Sequence, residues 1–207
     1  MKLYWAPRSR AFRALWMLEE SGLTYERVFI DIRSGAQDDP AFRRINPMGK
    51  VPALTHGAAQ LAESAAICTY VADLAPAARL APAIDDPARG RYLHWLFFSA
   101  ACMEPAFVQK MTGIALPRAS AGWGSYDRVM EVVDQALATG PWLLGTDFSA
   151  ADVMLGTDIW YGIHLLKVVT PTPAMAAYVE RCTARPAFRR AQDIEAREGA
   201  PPAPAPV

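Results

Sequence analysis

The sequence predicts a mixed α/β unit followed by an all-helical unit, and three observations support this fold class. Over residues 1–75 the hydrophobic pattern changes repeatedly between strand and helix spacing. From residue 87 onward it keeps the helical period. Between the two, residues 76–86 contain two prolines and little periodicity, which is typical of a linker.

The composition excludes several classes of protein. Of the 207 residues, 52% are hydrophobic, and 21 basic side chains balance 21 acidic ones. Disordered chains combine low hydrophobicity with high net charge, so this chain is predicted to be globular. Nucleic acid is excluded as the main partner, because phosphate binding depends on a surplus of Lys and Arg.

Neither a membrane segment nor a disulfide framework is expected. No window approaches the roughly 18–20 apolar residues of a membrane span, and the first ten residues reach arginine before a signal core could form, which predicts a cytoplasmic protein. Cys68, Cys102 and Cys182 are odd in number and far apart. We therefore expect three small buried hydrophobic residues and no metal site.

The first unit is predicted to have the order βαβαββα. Strands are expected at residues 2–5, 25–31, 52–56 and 58–62, and helices at 10–20, 40–45 and 64–74. Gly22 ends the first helix and Asp39-Pro40 opens the second. A strand, helix, strand unit of this length implies a parallel crossover, and the closing hairpin adds antiparallel strands.

The second unit, residues 87–198, is predicted to consist of helices. Asp86-Pro87 supplies an N-cap and a first-turn proline for a long helix that runs to about Met111. A loop at 113–124 follows, and then helices at 126–138, 150–165, 173–183 and 186–197. The Pro- and Ala-rich tail, residues 199–207, is predicted to be disordered.

The most specific motif is Asn46–Leu54, NPMGKVPAL, which is followed nine residues later by Glu63-Ser64. With these residues the chain resembles the soluble glutathione transferase family over nearly its whole length. The resemblance implies a thioredoxin-like N-terminal domain that binds glutathione, an all-helical C-terminal domain, and a homodimer with its active sites beside the subunit interface.

The resemblance also implies which residues bind glutathione. The proline that matches Pro52 is cis in this family, and the backbone of the residue matching Val51 pairs with the cysteinyl residue of glutathione, as in β-augmentation. The hydroxyl matching Ser64 and the amides at the helix start hold the γ-glutamyl carboxylate, while Glu63 faces its ammonium group. An ordinary Val-Pro turn and a purely structural N-cap at Ser64 are the alternatives.

The thiolate of glutathione needs a stabilising group. A thiol titrates near ~8.5, and lowering that value by about two units requires roughly 2.7 kcal/mol, which one hydroxyl hydrogen bond aided by a helix end can supply. The loop at residues 6–10 contains one hydroxyl, Ser9, whose spacing from Tyr4 and Arg13 resembles theta-type serine members. Tyr4 is the runner-up, and a plain N-cap is the structural alternative for Ser9.

Basic residues concentrate around the same loop. Arg8, Arg10 and Arg13 lie within six residues, and Lys50 adjoins the expected cis proline. Because glutathione is anionic, a local positive field would attract it. We expect Lys50 and Arg10 to bind the glycyl carboxylate and Arg13 to be structural. The position that carries a cysteine in beta-type members is Arg10 here, which excludes mixed-disulfide chemistry by that residue.

The resemblance places the second substrate, a small hydrophobic electrophile, in the helical domain. Met103, Phe107 and Met111 follow a spacing of four and are the candidates for its pocket, although such a stripe is more often core. Ser149 and Asp152 match the family's helix-capping box and are expected to be structural.

The function predicted from these patterns is glutathione transfer to electrophilic or hydroperoxide substrates. The main alternative is a non-catalytic binding or regulatory module, since fold does not determine function. A glutathione-dependent isomerase ranks lower, because the zeta-type isomerases carry Ser-Ser-Cys where this chain has Arg-Ser-Arg.

Overall fold

The computed structural model describes residues 1–117 and 119–198. Its strands are β1 (Lys2–Trp5), β2 (Glu26–Phe29), β3 (Ala53–His56) and β4 (Ala59–Ala62). Its α-helices are α1 (Ala11–Ser21), α2 (Pro40–Ile45), α3 (Ser64–Leu74), α4 (Ala88–Phe98), α5 (Glu104–Thr112), α6 (Tyr126–Leu137), α7 (Ala150–His164), α8 (Pro173–Ala184) and α9 (Pro186–Glu198). In these two ranges no helix has the length and apolar character needed to cross a membrane. The disorder expected for residues 199–207 lies outside the described residues.

The four strands form one mixed sheet with the order β2-β1-β3-β4. β1 pairs in parallel with β2, whereas β3 pairs antiparallel with both β1 and β4. Two local features place the helices as expected: Gly22 ends α1 at a φ of 69°, and the Asp39 carboxylate accepts the Ala41 N–H of α2 at 2.6 Å. The predicted fold class, a thioredoxin-like sheet followed by helices, is confirmed.

Helix α1 is buried between the sheet and the C-terminal helices. Every residue from Ala11 to Leu18 is buried, although an amphipathic surface helix would leave one face in water. The helix packs against α3, α7 and α9, and the Trp16 and Phe188 rings meet edge to face at 4.8 Å. One continuous hydrophobic core therefore joins the two halves of the chain.

The long helix predicted from residue 87 to Met111 is interrupted. A π-helical turn at Ser99–Met103 separates α4 from α5. Two residues account for it: Pro105 has no N–H to donate within the helix, and the Ser99 hydroxyl donates to Asp158 of α7. The helical run ends at Thr112, close to the predicted end at Met111, but the π-helical turn inside it was not predicted because the sequence pattern gave no weight to Pro105.

The capping box of α7 is more extensive than its motif implies. The Ser149 hydroxyl accepts the Ala151 N–H, and the Asp152 carboxylate accepts the Ser149 N–H at 2.9 Å. Asp152, fully buried, also accepts the Leu143 N–H and the Tyr178 hydroxyl, each at 2.9 Å. One carboxylate thus joins the start of α7, the preceding loop and α8.

We predict that Asp152→Ala lowers the free energy of unfolding by about 2–4 kcal/mol, because it leaves several buried donors without an acceptor. Urea denaturation followed by tryptophan fluorescence measures the change. Asp127→Ala is the matched control, since Asp127 is an exposed acid in the first turn of α6 and its loss should cost less than about 1 kcal/mol. Equal effects of the two substitutions would contradict the joining role of Asp152.

Candidate active site

Three strand ends bring the expected glutathione residues together. Tyr4 of β1 pairs with Ala53 of β3, and Ala53 pairs with Ala62 of β4. The loop that follows β1, the segment before β3 and the residue after β4 therefore lie at one end of the sheet. This end also holds the start of α3, which begins at Ser64.

The segment before β3 presents an unpaired stretch of backbone. The Val51–Pro52 peptide bond is cis. Among the hydrogen bonds of the described residues, none uses the N–H or the C=O of Val51, because the ladder with β1 begins at Ala53. Both groups are therefore available to an extended peptide that lies along this edge.

The start of α3 has free donors. Glu63 occupies the N-cap position with φ 68° and ψ 121°, a conformation that a non-glycine residue adopts rarely, and within the described chain no side chain caps this helix. The Ser64 hydroxyl instead points to the C=O of Arg10 at 3.5 Å, a long contact. The alternative of a simple N-cap at Ser64 does not describe this geometry, and the first amides of α3 remain free for an anion.

Ser9 lies where the loop after β1 enters α1. Its hydroxyl donates to the Ala6 C=O at 2.6 Å and accepts the Ala11 N–H at 3.1 Å, and the side chain is partly exposed. Ser9 therefore has a local structural role, and its oxygen lies at the positive end of α1. Tyr4 packs at 5.8 Å from the Phe42 ring of α2, on the opposite side of β1 from the buried Leu3 and Trp5.

Two of the four residues of the basic cluster are paired with acidic residues of the C-terminal helices. Arg10 pairs with Glu104 at 2.5 Å, although its side chain remains 60% exposed. Arg13, 4% exposed, pairs with Glu104 at 2.6 Å and also with Asp158. The expected positive field is therefore weaker than the sequence implied. Arg8 and Lys50 have no ion pair among the described residues.

The buried ion pairs change the acidity of their members. Burial raises the pKa of Asp158 to about 6, although the charge of Arg13 opposes this shift. Burial also acts to lower the pKa of Arg13, but Asp158 and Glu104 outweigh it and the pKa rises. For Glu104, hydrogen bonds from Arg10 and the charge of Arg13 overcome burial and lower the pKa. Arg13 is thus a permanent buried cation, in agreement with its expected structural role.

The structure corrects the expected pocket for the second substrate. Met103 is fully buried and Phe107 is 4% exposed, so both lie in the core, because α6 and α7 cover that face of the helix. Of the three candidates only Met111, half exposed, is accessible. A cavity of about 660 Å³ lies elsewhere, between the loop after β1 and helices α7 and α9, and its lining includes Pro7, Arg8, Trp160, Tyr161, His164 and Glu195. The sequence analysis did not predict this cavity, although the adjacent aromatic residues Trp160 and Tyr161 in α7 are a signal that could have indicated it.

Two further expectations concern thiols and metals. Cys68 and Cys182 are buried, and burial raises the pKa of Cys68 to about 12. Cys102 is only partly buried, which corrects the expectation that all three would be enclosed. In the ranges 1–117 and 119–198 no group of three or more His, Cys, Asp or Glu side chains is placed to hold a metal ion.

Comparison with known proteins identifies the family. The N-terminal domain model of glutathione S-transferases matches residues 1–73, and their C-terminal domain model matches residues 115–190. Glutathione S-transferase hmp2 of Hypomyces subiculosus is 31% identical over 166 residues, which cover 74% of this chain and 78% of that relative. The chain belongs to the glutathione S-transferase family.

Solved structures extend this likeness to the fold. A sphingomonad glutathione S-transferase complexed with glutathione is 31% identical, with a TM-score of 0.80 over 95% of this chain and 100% of the other. The theta class glutathione S-transferase of Xanthomonas axonopodis pv. citri, solved with glutathione bound, is 30% identical, with a TM-score of 0.77 over 92% of this chain and 95% of the other.

We predict that Asp158→Ala lowers the free energy of unfolding by about 3–5 kcal/mol, because Arg13 then loses one of the two carboxylates that compensate its buried charge. Chemical denaturation measures the effect. Glu131→Ala, which breaks an exposed pair with Arg128, should cost less than about 1 kcal/mol. A loss below 1 kcal/mol for Asp158→Ala would show that Glu104 alone compensates Arg13.

Proposed function

We propose that this protein is a glutathione transferase in which Ser9 stabilises the glutathione thiolate for attack on a hydrophobic electrophile or a hydroperoxide. The observation that supports this function best is the convergence of Ser9, the free backbone of Val51 and the uncapped start of α3 at one end of the sheet. Reduced glutathione belongs to the reducing cytosol, so we propose a cytoplasmic location.

Each part of glutathione has a complementary group at this end of the sheet. The γ-glutamyl carboxylate fits the free amides of α3 and the Ser64 hydroxyl, and its ammonium group faces the exposed Glu63 carboxylate. The cysteinyl residue pairs with the N–H and C=O of Val51. The glycyl carboxylate meets the exposed Lys50. Arg10 contributes less than the sequence suggested, because Glu104 already neutralises it.

The chemical step needs one donor at the sulfur. Ser9 donates its proton to the Ala6 C=O, and rotation about the C–O bond can redirect that proton to the thiolate without moving the oxygen. The glutathione thiol releases its proton to solvent, and the sulfur electron pair forms the bond to the electrophile as the leaving group departs with its electrons. With a hydroperoxide the sulfur attacks the terminal oxygen, the O–O bond breaks and an alcohol leaves after taking up a proton from solvent. The thiol of a second glutathione then displaces water from the resulting sulfenic acid, which gives the disulfide.

The second substrate fits the cavity of about 660 Å³ beside the same loop. Its walls combine the aromatic side chains Trp160 and Tyr161 with the polar His164 and Glu195. Half of the lining residues are polar or charged, so the two aromatic rings supply the apolar wall for a small electrophile, and the polar side chains can contact a polar substituent on it. Met111 does not line this cavity, so it is not part of the proposed pocket for the second substrate.

We predict that Ser9→Ala raises the pKa of the bound glutathione thiol by about 1–2 units and lowers turnover near neutral pH by about 10- to 100-fold, because one hydrogen bond to the anion is lost. Ultraviolet titration of the thiolate and conjugation to a generic aryl halide measure the two effects. Tyr4→Phe should change neither.

The chain offers a matched control for this substitution. Ser21 makes the same local contacts as Ser9, donating to the C=O three residues earlier at 2.8 Å and accepting the N–H two residues later at 3.2 Å, but it lies at the other end of α1. Ser21→Ala should leave turnover and the thiol pKa unchanged. If the turnover of Ser9→Ala is unchanged, Ser9 does not stabilise the glutathione thiolate.

Calorimetric titration with glutathione, together with turnover assays, distinguishes a non-catalytic binding module from a transferase. Glutathione binding without turnover of aryl halides or hydroperoxides would favour a glutathione-binding module. No heat at millimolar glutathione would show that the site is not functional at all.

We also propose that two copies form a homodimer. Helix α4 exposes Phe97 to solvent at 50%, and Val108 of α5 at 44%, an apolar exposure that a second copy would cover. Light scattering should give twice the chain mass of 22.6 kDa, and Phe97→Glu should shift the protein to monomer. Ile84→Glu is the control, since Ile84, in the linker, is 85% exposed and should not affect assembly. A Phe97→Glu protein that remains dimeric would exclude this face.

A further inference from the structure

The loop that carries Ser9 is held by three helices of the C-terminal half. The N–H of Arg8 donates to the Glu195 carboxylate of α9 at 2.7 Å. The Tyr161 hydroxyl of α7 donates to the C=O of Ser9 at 3.0 Å. The Arg10 guanidinium pairs with Glu104 of α5. Three consecutive residues of the loop are therefore each fixed from outside their own domain.

Two of these contacts act on the backbone and so control where the Ser9 hydroxyl points. The Ser9 C=O accepts from both the Phe12 N–H, at 3.1 Å, and the Tyr161 hydroxyl. The preceding residue, Arg8, has a φ of 53°, which a non-glycine residue adopts rarely and which the hydrogen bond to Glu195 helps to hold. These contacts fix the Ser9–Arg10 peptide group, which follows the Ser9 Cα, and the Pro7–Arg8 peptide group, which lies one residue before Ser9.

The Tyr161 hydroxyl is itself held rigidly. The residue is 7% exposed, and its ring lies 5.3 Å from the Trp160 ring and 6.0 Å from the Phe12 ring. Burial raises the pKa of the Tyr161 phenol, so the hydroxyl keeps its proton and remains a donor across the physiological range.

We propose that Tyr161 and Glu195 are positioning residues that orient the Ser9 hydroxyl toward the glutathione sulfur. This inference rests on the proposed role of Ser9. A hydrogen bond weakens steeply as its angle departs from linearity, so a peptide group that is free to rotate places the hydroxyl less well. The helical half of the chain thus contributes to thiolate stabilisation without touching the thiolate.

The test compares Tyr161→Phe with Tyr126→Phe. Each substitution removes one tyrosine hydroxyl that donates to a backbone C=O, and Tyr126 donates to Val168 at 2.6 Å, away from the loop. Tyr161→Phe should raise the pKa of the bound glutathione thiol and lower kcat/KM near neutral pH by about three- to tenfold. This is the effect expected from the loss of one neutral hydrogen bond. The Kd for glutathione should change by less than about twofold, since no binding contact is lost. Tyr126→Phe should alter none of these quantities.

Thiol titration in the binary complex contains no electrophile, so it separates positioning from any effect on the neighbouring cavity. Glu195 supplies a second, independent variant. Glu195→Ala removes the acceptor for the Arg8 N–H and should raise the thiol pKa. Glu195→Gln keeps an oxygen acceptor, so its thiol pKa should equal that of the unsubstituted protein.

The outcomes distinguish this inference from the proposed function. If Ser9→Ala itself leaves the thiol pKa unchanged, the role of Ser9 fails and this inference fails with it. If Ser9→Ala raises the pKa while Tyr161→Phe and Glu195→Ala do not, Ser9 keeps its role and the positioning by Tyr161 and Glu195 is overturned.

Discussion

The buried guanidinium of Arg13 is the constraint on which much of the structure depends. A charge in the core is tolerated only with close partners, and Glu104 and Asp158 both come from the C-terminal half of the chain. Helix α1 can therefore be buried on every side only when the helical half is docked against it. The π-helical turn belongs to the same arrangement, because it presents Ser99 to the second oxygen of Asp158.

Docking of the two halves has a direct consequence for the site. The N-terminal half alone supplies the strand ends that bring Val51, Glu63 and Ser64 together. The loop with Ser9, however, lies between the sheet and the helices, and Tyr161, Glu195 and Glu104 hold its backbone and one of its side chains. In the proposed function, glutathione binds to one half of the chain, whereas activation of its thiol depends on both.

The sequence predicts features that depend on neighbouring residues, such as helix ends, and misses contacts between residues that lie far apart in the chain. The helix ends at Gly22, Asp39 and Ser149 were predicted correctly. A φ above zero or a capping hydrogen bond depends on only a few neighbouring residues, so a local pattern can reveal it. Val51, Glu63 and Ser64 were assigned to one site through the family resemblance, whereas the strand order that brings them to one end of the sheet was not predicted from the sequence. By contrast, Arg10 and Arg13 meet partners 94 and 145 residues away, which no local pattern encodes. Helical spacing likewise identified Met103 and Phe107 as one face but could not show that other helices cover it.

The central claim is that Ser9, rather than Tyr4, meets the reacting sulfur. A crystal structure of the glutathione complex tests it most directly. We expect the sulfur within hydrogen-bonding distance of the Ser9 oxygen, with the cysteinyl backbone paired to Val51 and the Tyr161 hydroxyl still bonded to the Ser9 C=O. Sulfur bound to the Tyr4 phenol, or glutathione bound away from Val51, would show that Ser9 does not stabilise the thiolate.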